Sequence, residues 1–172
     1  MHTHTMDIQI RPADPADYDA LGDITAQAYL QDGLLDFGES DTYLGELRDV
    51  AKRAAAAEVL VAVRDGVLGG VTFVPFPGPM TDIARPGEAE IRMLAVAGAA
   101  RGQGAGEALV QACLDRARAT EGCRAVVLST QRTMRAAHRI YERLGFVRTP
   151  ERDWNPLPEQ LDITLLTYQL TL

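Results

Sequence analysis

The run Arg101-Gly102-Gln103-Gly104-Ala105-Gly106 limits what this chain can fold into more than any other segment. It joins a stretch that reads as a strand, Glu90 to Val96, to one that reads as a helix, from about Gly104 to Thr120. Glycines at alternate positions let the backbone approach a ligand closely, and the helix that follows points its unpaired N–H groups at the same place. The positive end of the helix dipole, with Arg101 beside it, suits a phosphate or diphosphate. Two familiar phosphate loops do not fit. A Walker A loop ends in Gly-Lys-Ser/Thr, which is absent, and a dinucleotide fingerprint begun at Gly102 needs a third glycine where Glu107 stands. Taken alone, the segment reads equally well as a turn that binds nothing.

The remainder of the chain supplies an α/β alternation. Ile8 and Ile10 alternate with polar neighbours as a first strand. Asp14-Pro15-Ala16-Asp17 is a helix start, with Asp14 as N-cap and Pro15 at the first helical position; Leu21, Ile24 and Ala28 form the stripe that follows. Gln31 to Ser40 reads as a loop and Asp41 to Ala57 as a second helix. Val59 to Val63 and Val67 to Val74 flank Asp65-Gly66, a hairpin signal. Pro75 to Gly87, with four prolines and two glycines, is a long loop of the kind that often carries function. Ala125 to Leu128 is a buried strand. A helix then runs from Met134 to Leu144 and is stopped by Gly145; Phe146-Val147 and Ile163 to Leu170 are the last strands. No internal repeat or linker interrupts the series, so residues 1–172 read as one domain, with 1–6 a disordered N-terminus.

At 172 residues the chain is long enough to bury roughly 70% of its unfolded surface without a disulfide or metal. Its net charge of −7 repels phosphate backbones, which argues against a nucleic-acid partner. No apolar run approaches the ~20 residues that span a bilayer, so no membrane is expected. The N-terminus lacks a basic flank and an apolar core, so no secretory signal is read there and the expected compartment is cytoplasmic. Cys113 and Cys123, with no histidine at ligand spacing, make neither a zinc site nor a redox motif, and no metal is expected.

Two motifs together resemble the GNAT superfamily of acyl-CoA-dependent N-acyltransferases. The signature Gln/Arg-x-x-Gly-x-Gly/Ala is met by Arg101, Gly104 and Gly106, after a strand ending Leu94-x-Val96. The second motif, Ala-x-x-x-Tyr-x-x-x-Gly-Phe, is met by Ala137, Tyr141, Gly145 and Phe146. The resemblance implies a mixed, mostly antiparallel sheet of about seven strands flanked by about four helices. It departs from the family pattern at Gly98, where proline is common, and at Met134, where an asparagine usually helps to hold the cofactor.

The resemblance also implies roles. The backbone of Leu94, Ala95 and Val96 would pair with the pantetheine arm of acetyl-CoA, and one of those amides would polarise the thioester carbonyl. Arg101, Gly102, Gln103, Gly104, Ala105 and Gly106 would cradle the diphosphate. Tyr141 matches the tyrosine near the cofactor sulfur, and Glu90 the strand glutamate that serves some members as general base. Bringing a lysine-like amine to its neutral form at pH 7 costs about 4.6 kcal/mol, against about 1 kcal/mol for an α-amine, so a base matters far more in the first case. An ordinary carboxylate near pKa 4.3 is a weak base unless burial or a neighbour such as Glu88 raises it. Glu90 therefore reads either as base or as a solvated strand-edge carboxylate. Full proton transfer from a phenol to a thiolate is uphill by about 2 kcal/mol, so Tyr141 reads as a hydrogen-bond donor to the developing thiolate, or else as a core aromatic. His138 reads as a surface histidine facing away from Tyr141, and Trp154 as either a core cap or part of an acceptor wall.

The implied activity is transfer of the acetyl group of acetyl-CoA to a primary amine by direct attack in a ternary complex. The acceptor is an amine on a small molecule or a protein. Asp32, Asp36, Glu39 and Asp41 would favour a cationic acceptor, or are simply solvated acids. The competing function is a GNAT-fold module that binds acyl-CoA without turnover, as a sensor or interaction domain; retention of Glu90 and Tyr141 favours the enzyme. Homodimers are common in the family, and nothing in this chain specifies one.

Overall fold

A computed structural model describes residues 7–31, 43–156, 158 and 163–172. The N-terminal six residues, His2 and His4 among them, lie outside these, as do Asp32, Asp36, Glu39 and Asp41. Among the described residues seven strands form one sheet: β1 (Gln9–Pro12), β2 (Glu58–Val63), β3 (Val67–Val74), β4 (Glu88–Val96), β5 (Ala125–Thr130), β6 (Val147–Arg148) and β7 (Leu166–Thr171). Their spatial order is β1-β2-β3-β4-β5-β7-β6, and every pairing is antiparallel except the central β4–β5 pair. The β2–β3 hairpin closes where the sequence predicts, with positive φ at Asp65 (55°) and Gly66 (128°).

Among the described residues the helices are α1 (Tyr18–Gln31), α2 (Tyr43–Arg48), α3 (Val50–Ala56), α4 (Ala105–Ala119) and α5 (Arg135–Arg143). The single helix anticipated from Asp41 to Ala57 is thus two. Asp49 breaks it: its φ/ψ is −84°/69°, and its side chain accepts from the Lys52 N–H, capping α3. Asp14 is the N-cap and Pro15 opens the first turn, as the sequence predicts, and Asp17 completes the capping box. It accepts the Asp14 N–H at 2.8 Å and takes the Arg11 guanidinium at 2.7 Å.

The sheet is covered on both faces. Leu109, Val110, Cys113 and Leu114 of α4 pack on Leu60, Val71, Phe73, Ile91, Val126 and Leu128. On the other face Leu21 and Val50 meet Val59 and Val61, while Ala26 of α1 meets Leu44 and Leu47 of α2. No described helix is long and apolar enough to cross a membrane.

Candidate active site

The site begins with an irregularity in β4. Arg92 pairs with Thr72 and Ala95 with Gly70, so three steps along β4 match two along β3. The extra residue is Met93, held at φ 56°. A bulge of this kind turns the strand over. Before it, Ala89 and Ile91 belong to the α4 core; after it, Leu94 and Val96 pack there, and Met93 joins Tyr29 and Tyr43 on the α1–α2 side. Pairing with β5 ends at Ile91–Leu128, so the two parallel strands part where the bulge begins.

A cavity of about 560 Å³ opens beyond this fork. Leu94, Ala95 and Val96 form one wall, the turn from Ala100 through Gly102 and Gly104 to Glu107 a second, and α5 a third. Gly102 and Gly104 carry φ of 79° and 89°, and a Cβ on either would meet nothing within 4 Å. Both therefore present bare backbone to open space in a conformation that side chains avoid. Gly106 works differently: a Cβ there would come within 2.9 Å of Ile140 Cδ1, so its lack of a side chain lets α4 close on α5. The first amides of α4 have no partner within the helix. Gln103 is not part of the cavity wall. Its side chain accepts from the Arg64 guanidinium and donates to the Ala99 carbonyl.

Arg135, Arg139 and Arg143 line the α5 wall at four-residue intervals, facing the turn that carries Arg101. Arg143 pairs with Glu107 at 2.9 Å. The i, i+4 spacing of this cationic ladder is a signal in the sequence that the two motifs do not contain, whereas Tyr29, which closes the cavity from α1, carries no such signal. A volume of this size, unpaired amides, open glycines and an arginine row fit a nucleotide diphosphate ester such as coenzyme A. Met134 lines the same cavity and accepts a 3.6 Å contact from Thr130 Oγ1 through its sulfur.

Tyr141 and Phe146 are placed by a helix stop. Gly145, at φ 100°, lets the Phe146 N–H bond the Tyr141 carbonyl at 2.9 Å and its own N–H bond Glu142 at 3.1 Å. These are the paired bonds of a Schellman motif, and the two rings meet at a tilt, 5.7 Å apart, as its hydrophobic contact. Tyr141 is 4% exposed and lies behind the α5 wall rather than in it, 5.8 Å from the Tyr168 ring. Burial, with smaller contributions from Tyr29, Cys113 and Tyr168, pushes its phenol well above the ordinary range, so the hydroxyl stays protonated. His138 is half-buried rather than a surface residue: its ring lies 5.7 Å from Tyr168 and 2.9 Å from the Gln131 carbonyl, and burial lowers its pKa.

Glu90 is 1% exposed and is not in the cavity wall. Its Oε1 accepts the backbone N–H groups of Asp82, Ile83 and Ala84 at 3.0, 3.0 and 3.1 Å. Burial raises its pKa and outweighs those three bonds, which act to lower it. Glu88 shares the strand face but is bound to Arg152 at 2.9 Å; Arg152, with the Arg85 N–H, draws its pKa down in spite of burial. Trp154 Nε1 donates to Ser129 Oγ at 2.9 Å, and its backbone bridges Leu165.

Residues 22–146 match the sequence model of the acetyltransferase (GNAT) family. The chain belongs to the GNAT acetyltransferase family. Membership makes it an acyltransferase by family, and the seven-stranded sheet is the fold of its structural neighbours. A GCN5-related N-acetyltransferase from Kribbella flavida is 30% identical, superposes with a TM-score of 0.67, and the match covers 96% of this chain and 98% of that one. The fold is shared with yncA of Salmonella typhimurium, solved with its cofactor acetyl-CoA (23% identity, 96% and 94% covered, TM-score 0.67). It is shared also with Arabidopsis thaliana NAA60, solved with a bisubstrate analogue (18%, 96% and 98%, 0.70). No curated protein matches the chain in sequence.

Proposed function

We propose that this GNAT protein moves the acetyl group of acetyl-CoA to a primary amine by direct attack in a ternary complex. The observation that carries the reading is the junction of the β4 fork with the open Gly102–Gly104 turn and the α5 arginines in one cavity. In this reading the diphosphate rests on the first amides of α4, with Arg101 and the arginine ladder supplying the counter-charge that a chain of net charge −7 otherwise lacks. The backbone of Leu94 to Val96 takes the pantetheine arm, and an amide there stabilises the oxyanion formed at the thioester carbonyl. Bound acetyl-CoA supplies the activated acyl group and a thiolate leaving group, which takes up through solvent the proton that the attacking amine gives up as the amide forms. Tyr141, kept protonated by burial, lies behind the α5 wall and reaches that thiolate only where the wall opens, donating a hydrogen bond there as charge develops.

Glu90 is assigned a different part. With Oε1 engaged by three amides and no share in the cavity wall, it acts as a positioning residue that pins segment 82–84 beside β4. The test is thiol release from acetyl-CoA with a broad panel of amines. An acceptor should release thiol only when both substrates are present. Tyr141→Phe should lower kcat by about tenfold or more while changing the Kd for coenzyme A less than threefold, because the ring packing survives. Absence of release with every amine would favour the acyl-CoA-binding module.

A further inference from the structure

One phenol stands in the cavity wall itself. Tyr29, in the last turn of α1, closes the cavity together with Ala28. It packs with Met93 and Tyr43 around Ala26, Leu44 and Leu47, and meets the Tyr43 ring edge to face at 6.2 Å. Met93 is the bulge residue, so Tyr29 is seated where β4 turns over and its pairing with β5 ends.

The fold leaves the hydroxyl of this residue unused. Tyr29 is half-buried, and its hydroxyl bonds no described residue. Among the described residues, the buried side-chain polar atoms without a partner are Arg53 Nε and Thr81 Oγ1, so the Tyr29 oxygen is not sealed in and opens on accessible space. Folded proteins pair nearly all their interior polar groups, and one left unpaired in a cavity wall is available to what the cavity holds. Burial raises its pKa and Tyr43 adds to the rise, against Arg92 and Arg53, so the hydroxyl keeps its proton and can donate it to a hydrogen bond.

Tyr141 approaches from the other face of the sheet. It belongs to the α4 core, whereas Tyr29 belongs to the cluster under α1 and α2. The two still act on one another: after burial, Tyr29 is the largest influence raising the Tyr141 pKa. Two protonated phenols thus converge on the fork from opposite faces, one in the cavity wall and one behind it.

We propose that Tyr29 is a second catalytic residue, donating a hydrogen bond from α1 to the departing thiolate that Tyr141 meets from α5. The inference rests on the acetyl-transfer reading and adds a residue to its site. No proton changes hands at Tyr29. As the C–S bond breaks, sulfur carries away the electron pair, and the phenol stabilises that charge while keeping its O–H. A hydrogen bond to an ion is roughly twice as strong as one between neutral groups, so the contact favours the thiolate over the thioester.

The experiment titrates coenzyme A bound to the protein, following the ultraviolet absorbance of its thiolate against pH. A free thiol ionises near pH 8.5, and the bound one should ionise at a pH lower by about 1 or more. Tyr29→Phe keeps the ring packing and should raise the pKa of the bound thiol by about 1, with the Kd for coenzyme A at about pH 6, where the thiol is intact, within about threefold of the parent. Tyr43→Phe, outside the cavity wall, should leave that pKa where it is. In acetyl transfer, Tyr29→Phe should lower kcat by about tenfold with little change in the KM for acetyl-CoA. A bound thiol whose pKa is the same in Tyr29→Phe as in the parent, or is moved equally by Tyr43→Phe, would overturn the inference and leave the transferase intact. Failure of coenzyme A to bind the parent protein would overturn both.

Discussion

Replacing Glu90 by alanine and by glutamine separates a loop anchor from a proton acceptor. Alanine strips three backbone donors of their acceptor. One of these bonds is buried and two are partly so. At about 1–3 kcal/mol for a fully buried orphan and roughly 1 kcal/mol for each of the others, the loss comes to about 3–5 kcal/mol. Glutamine keeps an oxygen in place but removes its charge, weakening each bond by about 1 kcal/mol. That loss is offset because the buried carboxylate is itself unfavourable, as its raised pKa records. The net cost of glutamine is then smaller than that of alanine. The sign of the pH effect follows. A carboxyl whose folded pKa is raised contributes stability that is present below the unfolded value of about 4.3 and is lost as pH rises through the folded value. Glu90→Gln should therefore remove a loss of stability above about pH 4.3. Urea unfolding at several pH values reads both quantities, and the pH profile of kcat/KM reads the chemistry. Anchoring predicts kcat within about tenfold of the parent for glutamine, an unchanged profile, and a much larger loss for alanine. A glutamine variant that is stable to within about 1 kcal/mol yet loses more than about 100-fold in kcat, together with the acid limb, would refute the anchoring argument and make Glu90 the base.

Gly104→Ala should cost about 1–2 kcal/mol of stability because φ is 89°, and should weaken coenzyme A binding about tenfold by calorimetry. Gly122→Ala, at φ 81° in the turn after α4, is the control: similar strain with an unaltered Kd. Acid should unfold the protein through a different set of carboxyls. The Arg11 hydrogen bond holds Asp17 low, the Arg148 hydrogen bond holds Asp153 low, and Arg152 with the Arg85 amide does the same for Glu88 against burial. Their contribution is present above the unfolded carboxyl range and is lost as pH falls through their depressed values, below about pH 4. Melting temperature measured against pH should drop there, and Asp153→Asn should make the drop shallower. A level curve down to about pH 2.5 would contradict it.

The parts of the site governed by local backbone chemistry were readable in advance. The α4 start near Gly104 and the Gly145 stop that sets Tyr141 against Phe146 follow from residue type. The parts governed by distant partners were not. Nothing local marks Met93 as the residue that turns over; the one-residue offset between β3 and β4 sets that. Glu90 reads as a reactive strand carboxylate until its partners are seen to be amides of a loop six to eight residues earlier. Likewise Asp49 looks like an ordinary helical residue, and only its bond to the Lys52 amide reveals a boundary.

The inversion of β4 at Met93 divides one strand between two tasks. Ala89 and Ile91 ahead of it and Leu94 and Val96 beyond it pack in the same α4 core, but only the residues from Leu94 onward also wall the cavity. Positions ahead of the inversion can therefore change with little direct effect on the cavity wall, which begins only beyond it.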